Sequence, residues 1–211
     1  MSNYYQPLLP GEKYHLFSRA VGSEKLFLSH ENYLFFLKKL KQHTASVCNV
    51  YCYALLPNHF HLLVKINEET AIKNHFLAVK NRAYNPLQND LPDFIMERFS
   101  NFLNSYTKSF NKVNMRKGAL FMDYLKRSAV NEDKDFTSFV WYIHKNAVHH
   151  GLTKNIGQWK YDSYSPLLSE SPTSLLRNEL MGWFGGKEEF VAFHQQPVYS
   201  KINQDLVIPD L

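Results

Sequence analysis

The chain has 211 residues, 45% hydrophobic and 15% aromatic, which is enough apolar material for a buried core and excludes a largely disordered protein. Its net charge of +5 and pI near 9.0 favour a polyanionic partner. No apolar run approaches the length of a membrane span, and residues 1–13 lack the apolar stretch of a secretory signal. Cys48 and Cys52 are too few for a disulfide framework. We therefore expect a cytoplasmic protein that does not associate with a membrane.

Hydrophobic periodicity predicts a series of strands and helices. In chain order, the strands are residues 14–21, 47–56, 59–66 and one within 119–130. The helices are residues 30–44, 70–83, 94–111, 133–149, 173–184 and 187–195, with Ser29 capping the first. Residues 159–168 are predicted to be irregular.

This order of elements predicts an α+β fold of the ferredoxin-like sandwich type. We expect a central antiparallel sheet with helices mainly on one face. We divide the chain into a domain of residues 1–165 and a small helical C-terminal extension of residues 166–211. Proteins with this fold have many functions, so the fold alone does not define one.

The predicted third strand carries two histidines, His59 and His61, in a His-x-His pattern. Alternate residues of a strand share a face, and Phe60 begins the apolar face that we expect to pack on the core. The two imidazoles then project together from the solvent side of the sheet, where they suit a divalent metal ion. Two surface histidines without a ligand explain the pattern equally well.

The predicted helix of residues 133–149 combines an apolar stripe with polar residues on its flank. The stripe consists of Phe136, Phe139, Val140, Ile143 and Ala147. Tyr142 and Asn146 are i, i+4 neighbours beside this stripe, so a phenol and a carboxamide extend from the same side of one rigid element. A tyrosine at the boundary of an amphipathic helix is the simpler interpretation. Periodicity alone does not distinguish Tyr142 from Tyr106 or Tyr124.

Residues 98–130 contain seven basic side chains and one acidic side chain. The interleaved aromatic residues are Phe99, Phe102, Tyr106, Phe110, Phe121 and Tyr124. Cations beside aromatic rings are typical of single-stranded nucleic acid binding. A solvated basic helix face above a buried aromatic stripe explains the same pattern, and composition slightly favours this second interpretation.

Residues 56–64 (Leu-Pro-Asn-His-Phe-His-Leu-Leu-Val) and 142–152 (Tyr-Ile-His-Lys-Asn-Ala-Val-His-His-Gly-Leu), together with residues 118–121 and 159–164, resemble HUH single-tyrosine transposases. The similarity is greatest to the REP-associated tyrosine transposases of bacteria, and it covers about residues 14–165. The resemblance implies a metal-dependent enzyme of DNA transposition and recombination. Such an enzyme cleaves and rejoins single-stranded or hairpin DNA through a 5′-phosphotyrosine intermediate.

The resemblance also implies a role for individual residues. His59, His61 and Asn146 would bind the divalent ion, Mg or Mn, and Tyr142 would be the nucleophile. Ala147 departs from the family, which usually has proline there, so the position of the helix end is open.

Six cations are our candidates for contacts to the DNA backbone. They are Arg116, Lys117, Lys126 and Arg127, with Lys65 and Arg19 as weaker candidates. His144 and His149 are interpreted as helix-surface residues. Two alternatives stay open: a non-catalytic module that binds hairpin DNA or RNA, and a metal nuclease that uses water while Tyr142 is structural. The sequence also leaves a homodimer open.

Overall fold

The computed structural model describes residues 5–88, 90–122, 125–130 and 133–196. Within these residues the strands are β1 (Lys13–Arg19), β2 (Cys48–Leu56), β3 (His59–Ile66) and β4 (Lys126–Ala129). The helices are α1 (His30–Thr44), α2 (Glu69–Lys80), α3 (Asp90–Val113), α4 (Asp133–His149), α5 (Tyr164–Leu168), α6 (Arg177–Phe184) and α7 (Lys187–Gln195), with a 3-10 turn at Pro86–Gln88. Tyr124 and residues 197–211 of the predicted extension lie outside the described residues.

The four strands form one sheet in the order β2-β3-β1-β4, and every neighbouring pair is antiparallel. The two halves of the chain, β1-α1-β2 and β3-α3-β4, therefore interleave so that β1 and β3 occupy the centre of the sheet. This is the split βαβ arrangement of ferredoxin-like folds. The predicted fold class, α+β with a central antiparallel sheet, is confirmed.

One face of the sheet packs on α1, α2 and α3 in a first core. The even-numbered residues of β3, beginning with Phe60 and Leu62, lie in this core opposite Leu16 of β1. The aromatic residues of α3, including Phe99 and Tyr106, are fully or almost fully buried there. The interpretation of the basic segment as a solvated helix face above a buried aromatic stripe is therefore the better one, because the aromatic rings of α3 form core rather than a surface on which bases could stack.

The other face of the sheet is covered by α4, α6 and α7, which form a second core. Leu63 of β3 packs there with Ile143 of α4, Leu180 of α6 and Phe190 of α7. The expectation that the histidine side of β3 faces solvent is therefore wrong. Its physical reason is that α4 and the C-terminal helices each have an apolar face, and this side of the sheet buries them.

The described part of the C-terminal extension is built into the fold. The backbone N–H of Leu176 donates to Val50 O at 2.9 Å, which places residues 175–176 along the outer edge of β2. The boundary at residue 165 stays a prediction. Three helices differ from expectation. Residues 164–168 are helical, and α6 begins at Arg177 rather than at residue 173. Helix α3 begins at Asp90, before Pro92, which the first turn of a helix tolerates. Among the described residues, no helix is long and apolar enough to cross a bilayer.

Candidate active site

The two histidines of β3 lie under α4. His61 is fully buried and His59 is 8% exposed. Their ring centroids are 5.3 Å apart and the ring planes are almost perpendicular. Strand alternation therefore places both imidazoles on one face as predicted, but at the boundary between sheet and helix rather than in solvent.

Helix α4 brings Tyr142 to this pair. Its predicted apolar stripe, from Phe136 to Ala147, is buried against β2 and β3. Tyr142 is 9% exposed, and its ring meets the ring of His61 edge-on at 5.5 Å between centroids. The phenol and the imidazole pair, which come from distant parts of the sequence, thus share one site.

Asn146 is buried one helical turn after Tyr142, and its side-chain orientation is defined by a hydrogen bond. Nδ2 donates to Tyr142 O at 2.9 Å, which leaves the carboxamide oxygen as the group available to a cation. Burial, and after it the neighbouring His15, His59 and His150, lowers the pKa of His61 well below its usual value, while a hydrogen bond with the Asn146 side chain acts in the opposite direction. Asn146 and His61 are therefore direct neighbours.

His61 is joined to a third histidine that the sequence reasoning missed. Nε2 of His15, on β1, lies 2.8 Å from Nδ1 of His61, and the two rings stack at 5.1 Å with an angle of 9°. Burial lowers the pKa of His15 to about 3, so this imidazole is neutral. The sequence marks His15 only as a polar residue within an apolar strand. Its contact with His61 depends on how β1 pairs with β3, which the sequence does not show.

The remaining ring nitrogen of His61, Nε2, is buried and has no hydrogen-bond partner. Buried polar atoms are almost always paired, so an unpaired one beside a second imidazole and a carboxamide is compatible with a bound ion. Among the described residues, no three His, Cys, Asp or Glu side chains form a group that could hold a metal by themselves. Two imidazoles and the oxygen of Asn146 are a mixed nitrogen and oxygen donor set, which fits a divalent ion such as Mn.

The rim of the site is formed by the β2–β3 turn and the end of α4. Nδ1 of His59 lies 2.8 Å from Asn58 Oδ1, and the exposed ring of His150 contacts His59 at 4.7 Å between centroids. The helix continues beyond Ala147 to His149, because alanine, unlike proline, imposes no stop. Two residues beyond the helix, Gly151 has a φ of +66°, the left-handed conformation typical of the residue that follows a helix C-terminus.

A second histidine pair lies where α4 packs against the C-terminal helices. Nδ1 of His144 is 2.9 Å from Nε2 of His194, and Nε2 of His144 is 2.9 Å from Ser163 Oγ. Nδ1 of His194 donates to Phe190 O at 2.7 Å. The interpretation of His144 as a surface residue is therefore wrong, because α6 and α7 cover this part of α4. His149 is exposed as expected.

The face of the histidine pair carries three of the six predicted DNA-contacting cations, namely Arg19, Lys126 and, farther along β3, Lys65. Arg19 of β1 is the register partner of His59, and Lys126 of β4 is the partner of Phe17, which in turn pairs with His61. Adjacent strands are about 4.8 Å apart, so Lys126 begins roughly 10 Å from His61. The weaker candidate, Arg19, is thus near the histidine pair in the sheet, and its guanidinium donates to Met122 Sδ at 2.8 and 3.0 Å.

Arg127 points the other way from Lys126, and the structure gives it a different role. It is 9% exposed, and its guanidinium donates to the main-chain oxygens of Tyr5, Gln6 and Leu125. The prediction that Arg127 contacts DNA is wrong, because these bonds hold the N-terminal segment against β4.

Arg116, Lys117 and Lys65 each lie farther from the histidine pair or already form an ion pair with an acidic residue. Arg116 forms a two-pronged ion pair with Glu24, at 2.5 and 2.7 Å, and Lys117 is exposed beside it. Lys65 pairs with Glu179 of α6 at 3.4 Å, and it is four residues, or roughly 13 Å along β3, from His61.

The fold and site define a class of protein: a ferredoxin-like domain in which a strand-borne His-x-His pair faces a helix-borne tyrosine. Comparison with known proteins agrees with the resemblance found in the motifs. No family model matches the chain. A Haemophilus influenzae protein, provisionally assigned as a REP-associated tyrosine transposase, is 21% identical over 171 residues, which cover 78% of this chain and 86% of the relative.

A solved structure also matches this fold. It is described as a REP-associated tyrosine transposase bound to a REP hairpin, and it superposes with a TM-score of 0.59 at 15% identity. The match covers 82% of this chain and 90% of that one. The predicted similarity to REP-associated tyrosine transposases is therefore confirmed in sequence and in fold.

Proposed function

We propose that this chain is a tyrosine transposase that binds hairpin DNA and cleaves and rejoins single strands with the help of a divalent metal ion. The observation that carries the proposal is the meeting of Tyr142 with His61, His59 and Asn146 around one unpaired buried nitrogen. The relative and the solved structure support the same class, since one is named and the other described as a REP-associated tyrosine transposase.

In the proposed reaction Tyr142 supplies the nucleophile. Its hydroxyl oxygen bonds to the scissile phosphorus, the bond from phosphorus to the 3′ oxygen breaks, and the phenol loses its proton while the leaving oxygen gains one. The products are a 5′-phosphotyrosine and a free 3′-OH. Because the covalent link conserves the phosphodiester bond energy, another 3′-OH can reverse the step and join a new strand.

His59, His61 and Asn146 would hold the metal ion. When bound, the ion supplies charge for the phosphate oxygens and helps to orient the scissile bond. The Asn146 carboxamide, fixed by its bond to Tyr142 O, couples this ligand set to the turn of helix that carries the nucleophile.

The DNA has to approach from the rim at the β2–β3 turn. Tyr142 and His59 are each less than a tenth exposed, whereas His150, in contact with His59, is exposed. Arg19 and Lys126, on the same face as the histidine pair, are the cations that we assign to the DNA backbone, with Lys117 farther out.

A covalent-adduct assay tests this function. The full chain is incubated with a labelled single-stranded hairpin oligonucleotide and Mn or Mg, and then denatured. We expect a labelled protein–DNA adduct that Tyr142→Phe lowers by at least about a thousandfold while hairpin binding is retained. The matched control is Tyr164→Phe, which removes a phenol that packs on Phe190 in the second core, and it should form adduct normally.

Two outcomes contradict the proposal. Cleavage without adduct that persists in Tyr142→Phe identifies a metal nuclease using water. Hairpin binding with neither cleavage nor adduct identifies a binding module.

A further inference from the structure

We propose that His15 is a positioning residue for the metal site: it accepts a hydrogen bond from Nδ1 of His61 and thereby directs the lone pair of Nε2 to the cation. This inference rests on the proposed function, because it assigns a purpose to a contact next to the expected ligand. The contact itself is the 2.8 Å approach of the two ring nitrogens.

The two nitrogens allow two arrangements of the proton. If His61 donates, its Nδ1 carries the hydrogen and its Nε2 is left with a lone pair. If His15 donates, the hydrogen of His61 moves to Nε2, which is then an N–H and has no lone pair to offer. Only the first arrangement presents a metal-binding nitrogen, because a ligating imidazole must have its lone pair free.

The surroundings of His15 suit this task. The residue lies on β1, opposite Leu63, and its ring is enclosed by Phe17, Phe139 and Tyr142. It is 1% exposed, so water cannot replace it as the partner of His61. Metal-bound histidines generally donate their second N–H to such a neighbour, which fixes both the tautomer and the ring orientation.

Because the His15 ring meets Tyr142 edge-on at 6.0 Å, it also contacts the residue assigned as nucleophile. In the proposed site, His15 contacts neither the DNA nor the cation. It acts through His61, so its loss should weaken metal binding rather than remove a reacting group.

Calorimetric titration of the full chain with MnCl₂, in the absence of DNA, tests the proposal. We expect His15→Leu to raise the Kd for Mn by about 10- to 100-fold. His15→Gln should restore binding to within about threefold of the natural chain, because its side-chain oxygen can accept the same N–H. Leu16→Ala is the control: it opens a cavity on the opposite face of β1 and should lower stability without changing the Kd.

If His15→Leu fails to fold, the tautomer of His61 in the natural chain tests the proposal instead. In a long-range ¹H–¹⁵N spectrum of the natural chain, His61 should carry its proton on Nδ1. A proton on Nε2, or a folded His15→Leu with unchanged Mn affinity, overturns the role of His15 while leaving the proposed function intact. Failure of the natural chain to bind Mn overturns both this role and the proposed metal site.

Discussion

Two histidine pairs lie on the same side of the sheet, and they differ in how completely their ring nitrogens are bonded. In each pair two buried imidazoles approach within 2.8 or 2.9 Å. In the pair of His144 and His194, every ring nitrogen has a partner. In the pair of His15 and His61, Nε2 of His61 has none.

The fully bonded pair can be assigned proton by proton. Phe190 O only accepts, so His194 carries its hydrogen on Nδ1 and accepts at Nε2 from His144. His144 then accepts at its own Nε2 from Ser163, whose single hydroxyl hydrogen is directed to this nitrogen at 2.9 Å rather than to Tyr53 O at 3.2 Å. This closed chain joins α4, α7 and the segment beside β2, so its role is structural. In the pair of His15 and His61, by contrast, one imidazole nitrogen is still available to bind a ligand.

The largest expected difference between the two pairs is in their response to leucine substitution: one substitution should mainly lower cleavage, and the other should mainly lower stability. His61→Leu should lower cleavage of the hairpin oligonucleotide by more than about a hundredfold, because a metal ligand is lost. It should cost only about 1 kcal/mol of unfolding free energy, since one hydrogen bond disappears. Initial rates of adduct formation and urea unfolding measure the two quantities.

His144→Leu should show the reverse pattern. It leaves His194 and Ser163 without a partner and should cost about 2–3 kcal/mol of unfolding free energy, while cleavage stays within about tenfold at temperatures where the variant is folded. If His144→Leu abolished cleavage in a stably folded protein, or if His61→Leu left cleavage intact, the distinction between a structural and a functional pair would be wrong.

The closed pair should also make the protein sensitive to acid. Burial lowers the pKa of His194 to about 4 and that of His144 well below its usual value. In the unfolded chain both titrate near 6.5, so the unfolded state binds more protons between about pH 4 and 6.5. Their contribution to stability is full above that window and is lost as the pH falls through it.

His194→Gln sharpens this prediction, because its side-chain oxygen can still accept from His144 but does not titrate. Urea unfolding from pH 7.5 to 4.5 should give a dependence that is shallower by up to about 1.4 kcal/mol per pH unit within the window. His15 and His61 act in the same direction in both proteins, so the difference reports His194 together with its effect on the pKa of His144. Equal slopes for the two proteins would contradict the assignment.

Asp162, which precedes the Ser163 that bonds to His144, should have the opposite effect. Burial raises its pKa to about 7, and its Oδ2 has no hydrogen-bond partner. Its contribution to stability is therefore present at low pH and is lost as the pH rises from about 4 to 7. In the Asp162→Asn background the acid destabilisation caused by the histidines should be steeper.

Local sequence patterns predicted much of this molecule. Period-2 alternation in β3 placed His59 and His61 on one face, and the 3.6-residue period of α4 placed Tyr142 beside Asn146. Choosing Tyr142 among 13 tyrosines needed the resemblance to a family, because periodicity treats boundary tyrosines alike.

Pairing and layering could not be predicted in the same way. His15 and Arg19 acquire their positions from the register of β1 against β3, which joins residues 40 or more apart. His144 is buried because α7 covers it, and Arg127 because residues 5 and 6 lie along its strand. These placements depend on tertiary contacts that no window of the sequence contains.

The most direct test of the central claim is the position of a metal ion in a crystal grown with MnCl₂. The claim is that Nε2 of His61 is unpaired because it is a metal ligand. Anomalous diffraction should show a peak about 2 Å from that nitrogen, with His59 and Asn146 as the other protein ligands. No peak there, with Nε2 of His61 instead hydrogen-bonded to a protein group, would contradict the account.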